Sequence, residues 1–365
     1  MSLALSERVR AAFAPPRYLM PPLSGIDLSV SGVKAVRLAQ DSRGITLAGY
    51  AETRLPAGAF ADGEITDRAA VVEAIIAAAK EADISTANAA LPESKSFLFE
   101  TTASGSSSAE WRITVEQHLD ELIPLPPAET DFDIVEVGRD ECGDARVVGI
   151  GLAQRIVDDT LSVFDEAGIS LPAIEGETFA MARALLPLGD TSTALVIDIG
   201  KTTTKISIIA GRIPRFATTI GIGGHALTLA VQKYFSVTET EARKVKAERG
   251  IVPAPGNEEY LAAMLSTVAA IRDEISRRLE YCQDKVAAQG HEPVSHAILI
   301  GGNASVRGLP EYLEGALQIP VAVGDVFTNL SSRDRWVPSL DYTESLAYAT
   351  AIGLALYDHT GPYAR

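Results

Sequence analysis

Two short stretches of this sequence place one aspartate just ahead of small, hydroxyl-bearing or glycine residues, the types that can hold phosphate. In the first, Asp27 is followed by Ser29 and Ser31; in the second, Asp198 is followed by Gly200, Lys201, Thr202, Thr203 and Thr204. A polyphosphate needs backbone N–H groups aimed at its oxygens, and tight turns of small residues supply them because little side chain blocks the approach. It also needs a divalent cation. Mg2+ keeps several of its waters, so a carboxylate can act on it through those waters. Asp27 and Asp198 are the candidates for that task. One such turn alone is ordinary hairpin punctuation. Two copies about one domain length apart point to a single site shared between two halves.

A third candidate is Gly301-Gly302-Asn303, at the end of the apolar run AILI and just before a helix; glycines there let a flat base or ribose lie against the backbone. Gly223-Gly224 opens another helix, whose N-terminus can face phosphate. The mechanics resemble those of a dinucleotide site, yet the chain has no GxGxxG after its first strand and no Walker A pattern GxxxxGK[ST].

The elements that must carry these residues form a repeat. Residues 24–55 read as three strands, SGIDLSV, VKAVRLA and ITLAGYAETRL, with breaks at Ser31-Gly32 and between Asp41 and Gly44. Residues 194–220 read the same way: ALVIDIG, TTKISIIA and IPRFATTI, with breaks at Gly200-Lys201 and Gly211-Arg212. A helix is expected after each unit, over 67–82 and 224–235. The surplus lies between 92 and 172: a strand at 97–101, a Ser/Gly-rich loop at 104–108, a helix at 109–123, strands at 132–137 and 145–153, and a helix at 154–167. That is an α+β insert of roughly 80 residues. Farther on, helices are expected at 238–249 and 257–289 (one long or two consecutive) and a buried strand at 296–302. A helix at 309–317, a short strand near 320–323 and a small-residue helix at 343–357 complete the pattern.

Composition narrows the function. The 365 residues, 47% hydrophobic and 22% charged, suit a globular protein of two domains. A formal net charge of −16 argues against a nucleic-acid backbone as the main partner, because that needs a basic footprint. Cys142 and Cys282 are too few for a disulfide framework and carry no metal-ligand spacing, which suits a reducing, cytoplasmic compartment. The apolar run 346–356 falls short of the ~20 residues that a bilayer requires. Residues 1–22 can wind one short amphipathic helix before prolines stop it, without a signal peptide's apolar core. They read as a mobile leader, with a membrane- or partner-touching helix as the alternative.

Taken in order, the two phosphate turns, the glycine-pair strand and the small-residue closing helix resemble the actin/Hsp70/sugar-kinase superfamily. Within it the chain is most similar to the PilM family of type IV pilus assembly proteins, relatives of the division protein FtsA. The carrying segments are GIDLSVSGVKAVRLA at 25–39, IPLPPAETDFDIVEV at 123–137, EGETFAMARAL at 175–185 and VIDIGKTTTKISII at 196–209. GIGGHALTLAV at 221–231, ILIGGNASVRGLPEYL at 298–313 and TESLAYATAIGLAL at 343–356 complete the set. Actin, MreB and Hsp70 place their insert between the third strand and first helix, where this chain has about a dozen residues; PilM and FtsA place theirs later, as here.

The resemblance implies an α/β, actin-like (ribonuclease H-like) duplicated two-domain ATPase fold with an FtsA/PilM-type inserted α+β subdomain. The first domain is expected over 23–91 and 173–190 with the closing helix 343–357, the insert over 92–172, the second domain over 191–342, and the leader over 1–22. ATP and Mg2+ are the implied cofactors, with Asp27 and Asp198 holding the metal through water. Ser29, Ser31, Lys34, Gly200, Lys201, Thr202, Thr203, Gly223 and Gly224 would serve the phosphates. Gly301, Gly302, Asn303 and Lys246 would border the nucleoside, and Glu177 falls near the position from which relatives orient an attacking water. One departure stands out. Relatives often carry Ala-Glu-x-x-Lys on the helix after the glycine pair, whereas this chain reads Ala242-Arg243-Lys244-Val245-Lys246, so weaker nucleotide binding is expected.

The implied function is a cytoplasmic ATP-binding scaffold of a type IV pilus, or related type II secretion-like, inner-membrane assembly platform that serves twitching motility. It would bind the cytoplasmic tail of a PilN-like membrane protein beside the insert, with slow or absent turnover. Further implied partners are other platform proteins, assembly ATPases and a second copy of the chain, and no nucleic acid. Two alternatives stay open. An FtsA-like division filament and membrane tether would need an amphipathic anchor, and the closing ALYDHTGPYAR is polar; a small-molecule kinase would need a substrate base, and none stands out.

Overall fold

Runs of Val, Ile, Leu and Ala, broken by Ser-Gly and Gly-Lys turns, fold into the two expected meanders. A computed structural model describes residues 23–41 and 44–357; the segment expected as a leader, 1–22, lies outside the described residues. In the first half, β1 (Ser24–Ser29), β2 (Gly32–Asp41) and β3 (Gly44–Arg54) pair antiparallel. Helix α1 (Arg68–Ala82) follows. Asp67 caps it by accepting from the Ala70 N–H at 3.1 Å, and Val71, Ala74, Ile75 and Ala78 are buried against the sheet. Strand β4 (Asn88–Leu91) then adds parallel to β1.

The chain next builds the insert. Strand β5 (Phe97–Ala103), helix α2 (Ser108–Glu116), β6 (Thr130–Arg139) and β7 (Ala145–Ala153) form it, with sheet order β5-β7-β6, all antiparallel. Its own small core holds Phe99, Trp111, Val115, Leu119, Ile123 and Phe132. Glycine is needed at position 149, where an added Cβ would strike the Phe99 ring. Helix α3 (Gln154–Glu166), expected within the insert, is shared: Ile156 and Val157 pack with Leu152 of β7, whereas Val163 and Phe164 enter the core of the first half beside α1. The three-stranded sheet itself spans 97–153, within the expected 92–172. The expected helix over 109–123 also breaks at Gln117-His118, leaving α2 and a single turn at Leu119–Leu122.

Strand β8 (Ile174–Gly176) completes the first sheet beside β4, and α4 (Glu177–Leu185) leads to the second half. There β9 (Thr193–Ile199), β10 (Thr204–Ala210) and β11 (Ile213–Ile220) repeat the meander, followed by α5 (Gly224–Phe235) and α6 (Glu239–Arg249). The stretch after them is one helix, α7 (Glu258–Ala288). Strands β12 (His296–Ile300) and β13 (Val321–Val323) flank α8 (Leu309–Leu317). The sheet orders are β3-β2-β1-β4-β8 and β11-β10-β9-β12-β13, with the same pattern of antiparallel and parallel pairs. The duplication read from the sequence is thus a duplication of topology.

The closing helix is not continuous. A turn at Tyr342–Ser345 and a 3-10 turn at Leu346–Tyr348 precede α9 (Ala349–Ala355), because the Leu346 carbonyl accepts from the Gly301 N–H at 3.0 Å. Helices α4 and α9 cross where Gly353 lies directly on the Ala180 backbone. Around that crossing, Val36 and Leu38 of the first sheet meet Val196 and Ile300 of the second in one core. The insert also reaches the second half. Half-buried Glu100 pairs with Arg146 of the insert at 2.6 Å and with Arg215 of β11 at 2.8 Å, and Arg146 donates to the Gln289 carbonyl at 3.1 Å. Burial pushes the Glu100 carboxyl up, but Arg215 and Arg146 outweigh it and hold it below the usual range.

Candidate functional site

The two hairpin turns open on one cleft of about 900 Å³, lined from both halves. Asp27, Ser29, Ser31 and Lys34 come from the first turn; Asp198, Gly200, Lys201, Thr202 and Thr203 come from the second. Gly301, Gly302 and Asn303 border it from the end of β12, Gly224 and Lys246 from α5 and α6, and Glu177 from the start of α4. Gly223 stands behind the second turn instead. A Cβ there would lie 2.7 Å from the Thr202 and Thr203 backbone, so glycine lets α5 close onto the turn.

The first turn is tied by its own hydroxyls: Ser29 Oγ lies 3.0 Å from Ser31 Oγ and donates to the Gly32 carbonyl at 3.1 Å. Lys34 Nζ donates to Ser31 Oγ at 3.0 Å and sits 3.7 Å from Glu52. The second turn is closed by Gly200 N–H donating to the Thr203 carbonyl at 3.0 Å. The N–H groups of Gly224 and His225 bond back to the Gly200 and Lys201 carbonyls. Those two donors at the start of α5 are thereby used within the protein.

The glycine pair divides its work. Gly301 has φ +89° and presses on Asp198 and on the Ile199 carbonyl, whereas a Cβ on Gly302 would meet nothing within 4 Å. The open side at Gly302 is where a flat group could lie. Asn303 is spent on the frame: its amide donates to the Gly200 carbonyl at 2.9 Å and its Oδ1 accepts from Lys246 at 2.7 Å. Lys246 also donates to Thr228 Oγ1 and the Gly224 carbonyl, so its ammonium knits α5, α6 and the glycine turn together. Burial, with Arg243 nearby, lowers its pKa to about 8. Arg243, at the departure noted above, lines the cleft and is held by Glu239 on its own helix.

At the inner end, carboxylates gather: Asp27, Glu93 and Glu177 are buried and Asp198 is half-buried. Burial pushes the Glu177 carboxyl up to about 7; Lys205 pulls the other way, while the charge of Asp27 adds to the push. Burial likewise raises Asp27, against the pull of Lys34 and Lys205. Glu93 is raised by burial although it accepts from Thr178 Oγ1 at 2.6 Å. Lys205 sits among these acids, paired with Glu177 and 3.8 Å from Asp198. Burial alone would lower it, yet Glu177, Asp198 and Asp27 together hold the ammonium charged. Over the whole cleft six acidic and six basic side chains line the wall, a local balance in a chain of net charge −16 that suits an anionic ligand.

Sequence reasoning missed Lys205 and Glu93. The signal for Lys205 was present in the repeat, since Lys34 and Lys205 each stand seven residues after a turn aspartate and pair with it in register across the hairpin. Glu93, just past the fourth strand, had no counterpart motif to mark it. No three acidic, histidine or cysteine side chains among the described residues converge tightly enough to cage a metal ion directly. Asp27 and Asp198, reaching the cleft from the two turns, fit an ion that keeps its waters.

A family model described as type IV pilus assembly protein PilM matches residues 25–359. A solved PilM-PilN type IV pilus biogenesis complex contains a chain with TM-score 0.74 and 20% identity, covering 91% of this chain and 97% of that one. MreB 5 of Spiroplasma citri bound to AMPPNP gives TM-score 0.55 at 15% identity, covering 95% and 97%. The cell division protein FtsA of Rhizobium meliloti is 27% identical over 201 residues, 48% of this chain and 43% of FtsA, so the match spans less than half of that relative. Among the described residues, no helix is long and apolar enough to cross a membrane.

Proposed function

The chain belongs to the PilM family of type IV pilus assembly proteins, and we propose that it is an ATP-binding scaffold at the cytoplasmic face of an inner-membrane pilus assembly platform. The observation that carries the nucleotide reading is the convergence of both aspartate turns and the glycine pair on one cleft. In this reading Ser29, Ser31, Lys34 and the 200–203 turn hold the phosphates, and Gly302 leaves room for the nucleoside. Asp27 and Asp198 act on Mg2+ through its waters. The ion, when bound, supplies charge that screens the phosphates. Glu177 is positioned to orient a water, but its pairing with Lys205 supports slow or absent turnover. ATP then serves as a ligand that favours one cleft angle over another.

The partner reading is an extended peptide from the cytoplasmic tail of a PilN-like membrane protein. The insert supports it physically. Strand β6 forms one edge of the insert sheet and carries half-buried Ile134 and Val135, so a peptide strand could add there by backbone pairing. Two measurements test the proposal. The full chain should co-purify with an N-terminal PilN peptide, and no binding with or without ATP and Mg2+ would remove the partner reading. Asp198→Ala should weaken Mg-ATP binding at least about tenfold while thermal unfolding stays cooperative; unchanged affinity would remove the nucleotide site.

A further inference from the structure

The duplicated hairpins place two lysines at equivalent backbone positions, Lys34 opposite Asp27 and Lys205 opposite Asp198. Their surroundings differ. Lys34 faces a serine hydroxyl and the partly exposed Glu52, and acts on Asp27 through space. Lys205 is inserted among acids: it is paired with Glu177, lies 3.8 Å from Asp198, and acts on Asp27 and Glu93 through space. Among the described residues, no other lysine or arginine forms an ion pair with Glu177 or Asp198.

A nucleoside polyphosphate brings several negative charges toward this group of carboxylates. Repulsion in a poorly screened cleft opposes its entry unless positive charge is already in place. A hydrated divalent ion is one source of that charge. Lys205 is another, attached to the chain and present before any ion arrives. Its aliphatic stem rises from β10 within the buried sheet, and the side chain is 18% exposed, so the ammonium is held at the inner end of the cleft and does not wander into solvent.

Resting on the reading that the cleft binds nucleotide, we propose that Lys205 is a built-in counter-cation. It allows a nucleoside di- or triphosphate to bind without a divalent ion. The same pairing occupies Glu177, so binding without metal and slow turnover follow from one contact.

Calorimetric titration of the full chain with ATP, in excess EDTA and in excess Mg2+, tests this. Wild-type affinity in EDTA should lie no more than about thirtyfold below that in Mg2+, whereas Lys205→Met should lose at least about a further tenfold in EDTA and recover most of it in Mg2+. Lys205→Arg should behave as wild type. If Lys205→Met fails to fold, the double variant Glu177→Gln/Lys205→Met, which removes both members of the pair, should show the same loss in EDTA. A wild-type chain that binds more than about thirtyfold more weakly without Mg2+ overturns the proposal and leaves the nucleotide reading standing. So does a Lys205→Met chain that binds in EDTA as tightly as wild type. A wild-type chain that binds no nucleotide in either buffer overturns both.

Discussion

The two hairpins share strand order, register and the pairing of one aspartate with one lysine, yet they place that lysine in different company. At the first hairpin Lys34 bonds a serine and leans toward a carboxylate 38% exposed to solvent. At the second, Lys205 is enclosed by acids from β9, α4 and the segment after β4. Duplicated backbone therefore does not mean duplicated chemistry. What distinguishes the copies is what the rest of the chain brings to each turn. Only the second receives a helix that begins with a glutamate, because α4 starts where the insert returns the chain to the first sheet.

The largest expected effect breaks that comparison directly. Lys205→Met strands Glu177 and Asp198 without their cation and should lower unfolding stability by about 3–5 kcal/mol. Lys34→Met breaks a single ion pair, to the partly exposed Glu52, and removes a cation that acts on buried Asp27 only through space, so it should cost less, about 1–2 kcal/mol. Urea unfolding of both variants checks this, and equal losses would show that the two environments are energetically alike. The glycine pair offers a second contrast. Gly301→Ala adds a Cβ at φ +89° against Asp198 and should cost about 1–3 kcal/mol. Gly302→Ala meets open space and should change stability by less than about 0.5 kcal/mol, and in the proposed reading it still crowds a bound nucleoside. Thermal melts with and without ATP separate the two effects.

The last contrast concerns Lys246 and shows only as a change with pH. Its folded pKa of about 8 lies below the 10.5 of an ordinary lysine, so between those values the unfolded chain binds more protons and stability rises with pH. Below pH 8 both states carry the charge and the burial penalty is present in full. Lys246→Met should flatten that rise, on the order of 1–2 kcal/mol, when urea midpoints are compared at pH 7.5 and 10. An unchanged slope would show that the Lys246 ammonium is not desolvated.

Much of this was legible in the sequence for local reasons. Strands and turns follow from period and from Ser-Gly or Gly-Lys chemistry, which act over a few residues, so both aspartate turns and the glycine pair could be placed before any coordinates. Allegiance was harder. The apolar face of α3 identifies a helix, but nothing in it says that Val163 and Phe164 enter the first half's core and not that of the insert. The interruption of the closing helix depends on a hydrogen bond from Gly301, distant in sequence. Lys246, expected at the nucleoside, lines the cleft and is also bonded to three protein oxygens, a network hidden in the sequence because α5, α6 and the glycine turn meet only in the fold. The Glu100 cluster draws on β5, β7, β11 and the end of α7, a set no local pattern could join.

That cluster bears on how the two halves communicate. The insert grows from the first sheet, yet Glu100 and Arg146 fasten it to β11 and to Gln289 of the second half. A change in the angle between the halves must then either stretch these bonds or carry the insert along. Work done at one end is felt at the other, and such coupling is reciprocal. Any ligand that favours one cleft angle alters the grip of whatever holds the insert, and that partner alters the ligand's affinity by the same factor.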